Sequence, residues 1–211
     1  DDGKLGTILL PGAVGGANWP GAGVDPETGW LYVPSHTRPS VIQLEMPDSS
    51  RSDFRYVRGR GTRLTGPRGL PLFKPPYSRL SAFNLHEGTL EWALALGDGP
   101  RQEVIDLGIA DPGPLGGSSY TGPLVTKTML FLGLRGSDAP DLGFVSSGIS
   151  GAGIGSSPVL NAYDKATGRL LHSVELDVPP TGTPMTYRLG GKQYLVVAYG
   201  TADTAGLVAL A

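Results

Sequence analysis

The apolar positions of this chain fall in short runs rather than along a helical stripe. Trp30-Leu-Tyr-Val33, Leu80-Ser-Ala-Phe83, Met129-Leu-Phe-Leu132, Leu160-Asn-Ala-Tyr163 and Tyr194-Leu-Val-Val-Ala198 are each bounded by polar, Gly- or Pro-rich sequence. No segment sustains a 3.6-residue period, so the pattern predicts strands throughout. One junction between runs recurs three times, as Ala22 to Val33, Leu80 to Trp92 and Leu160 to Leu171. In each copy an apolar run ends at Asp25, Asn84 or Asp164, polar residues follow, and Gly29, Gly88 or Gly168 supplies the positive φ of a tight hairpin before the next run begins. The long, irregular period points to propeller blades carrying loop insertions rather than to a compact solenoid.

Between these hairpins the chain divides readily. Residues 1–20 read as a loop that feeds the first hairpin, and 35–78 as a long Arg- and Pro-rich passage with strand-like pieces at Val41-Ile-Gln-Leu44 and Phe54-Arg-Tyr-Val57. Loops of that length in a compact domain usually carry function or cover something. A Gly/Pro-rich stretch (97–122) leads to a strand through Leu132, and a Gly/Ser-rich run (143–157) is expected to be a mobile excursion between two strands of one blade. Two strands joined by Gly190-Gly191 and a last strand at Gly206-Leu-Val-Ala209 complete the chain. Rings of this kind usually hold 4 to 8 four-stranded blades. The strands here suffice for about three or four, so 1–211 is read as one all-β domain, part of a larger propeller, with two blade faces left exposed.

Composition narrows the chemistry. The 33 glycines and 19 prolines make up about a quarter of 211 residues, which suits short strands with elaborate loops once the apolar runs are counted. A net charge of −2 with scattered Lys and Arg gives no reason to expect a nucleic-acid partner. No apolar stretch approaches the ~20 residues of a membrane helix. Asp1-Asp-Gly-Lys4 has no signal-peptide character, so the chain is read as soluble with any export signal elsewhere. The absence of cysteine excludes disulfides, thiolate metal sites and a Cys-x-x-Cys-His haem attachment within the chain.

Beyond the generic hairpins, Gly16-Ala-Asn-Trp19-Pro20, Val24-Asp-Pro-Glu-Thr-Gly29, Tyr32-Val-Pro-Ser35, Thr183-Pro-Met-Thr-Tyr187 and Gly191-Lys-Gln-Tyr194 occur in an order that resembles the C-terminal portion of the quinoprotein dehydrogenases. These are eight-bladed propellers that bind pyrroloquinoline quinone (PQQ) and oxidise alcohols or aldoses, and the glucose-dehydrogenase branch is the most similar. The hairpin phrase with a Trp four residues after its Gly looks like that family's blade-docking signature. Trp92 keeps it, whereas His172 stands in its place in the third copy. The resemblance implies that Asn18 donates to the quinone oxygens, Trp19 walls the site, Leu115 with Gly116 forms an apolar lid, and Gly200-Thr201 makes a further contact. It also implies a Ca²⁺ and a catalytic Asp, neither matched here and both expected on blades upstream. No catalytic residue is therefore assigned in this chain, which alone is expected to be inactive. A sugar or alcohol substrate, a quinone or cytochrome electron acceptor and a periplasmic location complete the implied setting.

Simpler readings stand beside these. Trp30 and Trp92 read as core, and Trp19 stands evenly between core and cofactor wall. His36, His86 and His172 lack metal spacing and read as surface or hairpin positions. Asp25, Asp164 and Asn84 read as turn formers. Arg135, Asp138 and Asp141 read as solvated charge, and the glycines of 143–155 lack the strand-then-helix setting of a phosphate loop. Two other functions remain open: a propeller scaffold that binds protein partners without cofactor, and a degenerate dehydrogenase whose 135–157 insertion blocks the site.

Overall fold

A computed structural model of the chain describes residues 6–13, 15–18, 20–59, 64, 66–117, 120–136, 157–200 and 204–211. In chain order the strands are β1 (Thr7–Leu9), β2 (Gly23–Asp25), β3 (Trp30–His36), β4 (Ser40–Ile42), β5 (Leu44–Glu45), β6 (Val57–Arg58), β7 (Ser78–Asn84) and β8 (Thr89–Ala95). The short helix α1 (Arg101–Asp106) follows. Then come β9 (Leu124–Val125), β10 (Met129–Leu134), β11 (Val159–Asp164), β12 (Leu170–Glu175), β13 (Met185–Leu189), β14 (Lys192–Gly200) and β15 (Ala205–Leu210). The all-β expectation holds, with α1 as a small exception inside the Gly/Pro-rich stretch. The opening loop contains one strand that was not expected, because β1 pairs antiparallel with β4.

Three antiparallel meanders make the body: β2-β3-β7-β8, β9-β10-β11-β12 and the three-stranded β13-β14-β15. Each is a blade. The first strands of the first two blades lie side by side, with Gly23 of β2 against Val125 of β9, and the later strands of each blade follow outward in order. β10 reads as a continuous apolar run because both its faces are covered. Leu130, Leu132 and Leu134 join Tyr32, Leu80 and Tyr163 in the core between the first two blades, while Phe131 joins Leu160 and Val197 in the core between the second and third.

The registers place the connections at the two ends of the blades. Asp25 pairs with Trp30, Asn84 with Thr89, Tyr163 with Leu170 and Leu189 with Lys192, so the tight turns sit at one end of every blade. His36 pairs with Ser78 and Leu134 with Val159, so the two long insertions leave from the opposite end, where the four-residue connection from Gly200 to Ala205 also lies. The Gly/Ser-rich run does join two strands of one blade, as expected; most of it, with Trp19, Asp138, Asp141 and Thr201, lies outside the described residues.

The tight-turn end is locked by side chains. Lys165 Nζ, in the third hairpin, reaches Asp25 Oδ2 of the first at 2.6 Å. Both side chains are buried, with 13% and 4% exposure. Asp25 also accepts Thr28 Oγ1–H at 2.8 Å and the Glu27 N–H at 3.1 Å. The Lys165 carbonyl accepts the Tyr32 hydroxyl at 3.1 Å and Trp92 Nε1–H at 3.3 Å. The Trp92 ring lies over Gly168 of the next blade, as the docking signature predicts. Asp25, Asn84 and Asp164 are turn formers, each accepting backbone N–H groups within its own hairpin.

Candidate functional site

At the long-loop end, the segments leading into the three first strands converge. Gly122 has no room for a side chain there: a Cβ would strike Thr183 Oγ1 and the Pro20 carbonyl. Residues 20, 122 and 183 immediately precede β2, β9 and β13, so the inner edge of all three blades opens at one mouth.

The loop carrying Asn18 is clamped beside that mouth. The Gly16 carbonyl accepts the His36 N–H at 2.7 Å and the Tyr120 hydroxyl at 3.3 Å. Gly12 N–H donates to the Arg38 carbonyl at 2.9 Å, and Ala13 N–H to Ser40 Oγ at 3.0 Å. Asn18 is exposed, with its amide folded over Gly15, where a Cβ would lie 2.8 Å from Nδ2. The expected donor is therefore presented to solvent on a loop fixed at several points.

Leu115 and Gly116 occupy the same end, against the start of β7 and the segment that follows β8. Leu115 N–H donates to the Asp98 carbonyl and its carbonyl accepts the Tyr77 N–H, at 3.1 and 2.9 Å. Its side chain is buried. Gly116, at φ +74°, presses on the start of β7, where a Cβ would run into the Ser78 backbone. Packing alone thus accounts for glycine at 116. Gly200 ends β14 at the same end, half-buried and paired with Ala205.

Three groups at this end were not expected. His36 is partly buried, its ring stacked on Tyr120 at 4.2 Å between centroids and 23° between planes. That corrects its assignment to a surface or hairpin position. Burial, with Arg38 nearby, pushes its pKa down to about 3, so the imidazole is neutral at ordinary pH. Tyr120 is buried, its hydroxyl pKa raised by desolvation. Arg135, expected to be solvated, is half-buried next to Leu134, whose backbone bridges to Tyr120. Desolvation lowers its pKa. His36 Nδ1 and Arg135 Nε are both buried without a hydrogen bond. Two more cations sit close by: Arg38 Nη2 donates to the Gly117 carbonyl at 3.1 Å and Arg79 Nη2 to Thr37 Oγ1 at 3.0 Å.

None of these could be picked out from spacing. His36 has no metal partner in sequence, and Arg135 stands at the edge of a polar insertion. Pro34 and His36 at the end of an otherwise apolar strand are the only local sign of a buried polar end. Lys165 was missed too, though it is the one cation at that turn position in the three hairpin copies.

The chemistry of the mouth is that of donors and cations: an exposed amide, a neutral imidazole, guanidinium groups and a stacked aromatic pair. Among the described residues no three His, Asp or Glu gather as metal ligands. A separate cavity of about 400 Å³ lies near the tight-turn end, between Phe131, Leu160 and Val174 of the second blade and Leu195 and Leu210 of the third. None of the expected site residues lines it.

Comparison with known proteins fits this geometry. The family model described as PQQ, "Glucose/ethanol/alcohol dehydrogenase, beta-propeller domain", matches residues 3–195. The chain is 26% identical over 216 residues to a probable quinate dehydrogenase (quinone) of Xanthomonas campestris pv. juglandis, covering 93% of this chain and 25% of that protein. It is 24% identical over 217 residues to the quinoprotein glucose dehydrogenase of Escherichia coli K12, again covering 93% of this chain and 25% of the relative. The chain thus spans about a quarter of the length of the curated relatives it matches. Among solved structures, quinohemoprotein alcohol dehydrogenase from Comamonas testosteroni aligns with a TM-score of 0.55 at 20% identity, over 93% of this chain and 24% of that one. A europium-containing methanol dehydrogenase aligns with a TM-score of 0.56 at 19% identity, over 92% of this chain and 26% of that one.

Proposed function

We propose, since the chain belongs to the PQQ family of glucose/ethanol/alcohol dehydrogenase β-propellers, that it forms the C-terminal side of a dehydrogenase ring and one wall of its cofactor pocket. The observation that carries this reading is the convergence of the Pro20, Gly122 and Thr183 segments at a mouth where the clamped Asn18 loop is exposed. Loops meeting at one end of a rigid sheet scaffold are where binding groups collect. PQQ is a planar polycarboxylate, and the donors and cations of the mouth suit it: the Asn18 amide, Arg38, Arg79, Arg135 and the neutral imidazole of His36.

In this reading Asn18 and Trp19 contact the cofactor, Gly200 and Thr201 border it, and Leu115 with Gly116 forms the wall behind. When bound, the quinone supplies the hydride acceptor for oxidation of an aldose or alcohol. This chain's residues hold and orient it and keep water from one side. The base that takes the substrate's hydroxyl proton, and the Ca²⁺ ligands, belong to the remaining blades, so the 211 residues by themselves are inactive. A periplasmic setting and a quinone or cytochrome electron acceptor follow from the same reading.

The test is a titration of the full-length protein containing this chain with PQQ and Ca²⁺, followed by Trp fluorescence. Saturable binding that Asn18→Ala and Trp19→Ala each weaken by about tenfold, the worth of one good contact, supports the reading. No binding by the wild-type protein overturns it in favour of a cofactor-free scaffold.

A further inference from the structure

We propose that the cavity between the second and third blades binds a small planar aromatic acid, whose ring takes the place that indoles fill between the first and second blades. The site lies apart from the mouth and is independent of the cofactor reading. The registers show which residues of the two junctions correspond. Trp92 pairs with Ala82, and Ala82 with Tyr32. In the same way His172 pairs with Ala162, and Ala162 with Phe131. Two residues back along the strand, Trp30 pairs with Asn84 as Met129 pairs with Asp164. Trp30, Tyr32 and Trp92 of the first blade therefore correspond to Met129, Phe131 and His172 of the second.

The first trio closes its junction. The Tyr32 ring lies 6.5 Å from Trp30 and 5.9 Å from Trp92, and both indoles pack on the core shared with the second blade. Trp92 Nε1–H also donates to the Lys165 carbonyl of that blade. The second trio keeps one ring of similar size, Phe131, and has no indole. All three of its members line the cavity of about 400 Å³. Sites for small molecules commonly hold about 300–1,000 Å³, mostly apolar with a few polar groups. Here Leu160, Val174, Leu195 and Leu210 stand around Phe131, and exposed Lys127 is the one charged side chain of the lining. A flat ring among these walls makes the contacts that the two missing indoles would make. An acid group on that ring meets the Lys127 ammonium with no side-chain carboxylate of the lining to compete for it.

In the alternative, the gap is loose packing that takes no ligand. The full-length protein, with its mouth occupied by PQQ, is titrated with indole-3-carboxylate and with indole. Saturation-transfer NMR reads binding, and the melting temperature reads its effect on stability. His172→Trp and Met129→Trp each return one missing indole, Val174→Phe narrows the same wall by less, and Lys127→Ala removes the ammonium.

The expected result is that both probes bind the wild type and raise its melting temperature, as any ligand held only by the folded state does. Indole-3-carboxylate binds about threefold more tightly than indole, the worth of one exposed ion pair, and Lys127→Ala abolishes that difference alone. His172→Trp, Met129→Trp and Val174→Phe leave the ligand-free melting temperature unchanged or raised and weaken both probes about tenfold or more. Should an indole overfill the cavity and unfold the protein, Val174→Phe carries the test. Probes that bind the filled variants as well as the wild type lie elsewhere, and the site is overturned. A wild type that binds neither probe, with filled variants that melt higher, assigns the gap to loose packing. Equal affinity for the two probes overturns the acid as the ligand class. Protein that takes up no PQQ fails the cofactor reading and leaves this test intact, because the filled variants identify the cavity by themselves.

Discussion

Asp25 and Lys165 show how one residue pair ties blades together. The carboxylate belongs to the first hairpin and the ammonium to the third, and the 2.6 Å contact between them is nearly closed to water. Lys165 is the largest reason why the Asp25 pKa lies below the usual carboxylate range, ahead of Thr28 and the turn amide of Glu27. Removing one member of a buried pair leaves the other charged and uncompensated. Lys165→Met is therefore expected to lower stability by about 3–5 kcal/mol in chemical denaturation. The Asp25 carboxyl should titrate at higher pH in the variant, read by NMR of its side-chain carbon. A variant with unchanged stability and an unshifted Asp25 would show that the hairpin, not the lysine, holds the carboxylate.

At the level of the element, the repeated hairpin serves two purposes that its three copies separate. Gly88 and Gly168 both adopt left-handed φ, +70° and +72°. A Cβ at Gly88 meets nothing within 4 Å, whereas at Gly168 it lies 2.8 Å from the Trp92 ring. Gly88→Ala should cost only the conformational strain, about 1 kcal/mol. Gly168→Ala adds displacement of the docked indole and should cost about 1–2 kcal/mol more. Thermal melts of the two variants side by side, with Trp fluorescence reporting the position of Trp92, check the difference. Equal losses would mean that Trp92 moves aside freely and that the docking contact contributes little.

At the scale of the whole molecule, three blades form an arc with an apolar face at each end. On the first blade Val24, Phe83 and Leu90 are exposed, and on the third Met185, Tyr187 and Leu207. Tyr187 stacks on Tyr194 across β13 and β14 on that open face. Patches of this kind mark surfaces that pack against something. The 211-residue chain alone is expected to associate with rising concentration in sedimentation, and Phe83→Lys with Tyr187→Lys to return it to monomer. A wild-type chain that stays monomeric would count against these faces as blade contacts. Local pattern was enough for most of the strands, though not β1, for the three hairpins and for the family, because short apolar runs, turn residues and glycines with positive φ act over a few neighbours. It also marked Asn18, whose exposed loop the structure sets beside the mouth. Tertiary structure alone decided which ends of the blades carry the long loops. Only there do Lys165 and Asp25 meet, 140 residues apart, and only there does His36 lie on Tyr120. Burial, desolvation and pairing between distant segments depend on how blades stack, and no local pattern of residues encodes which side chain a neighbouring blade will cover.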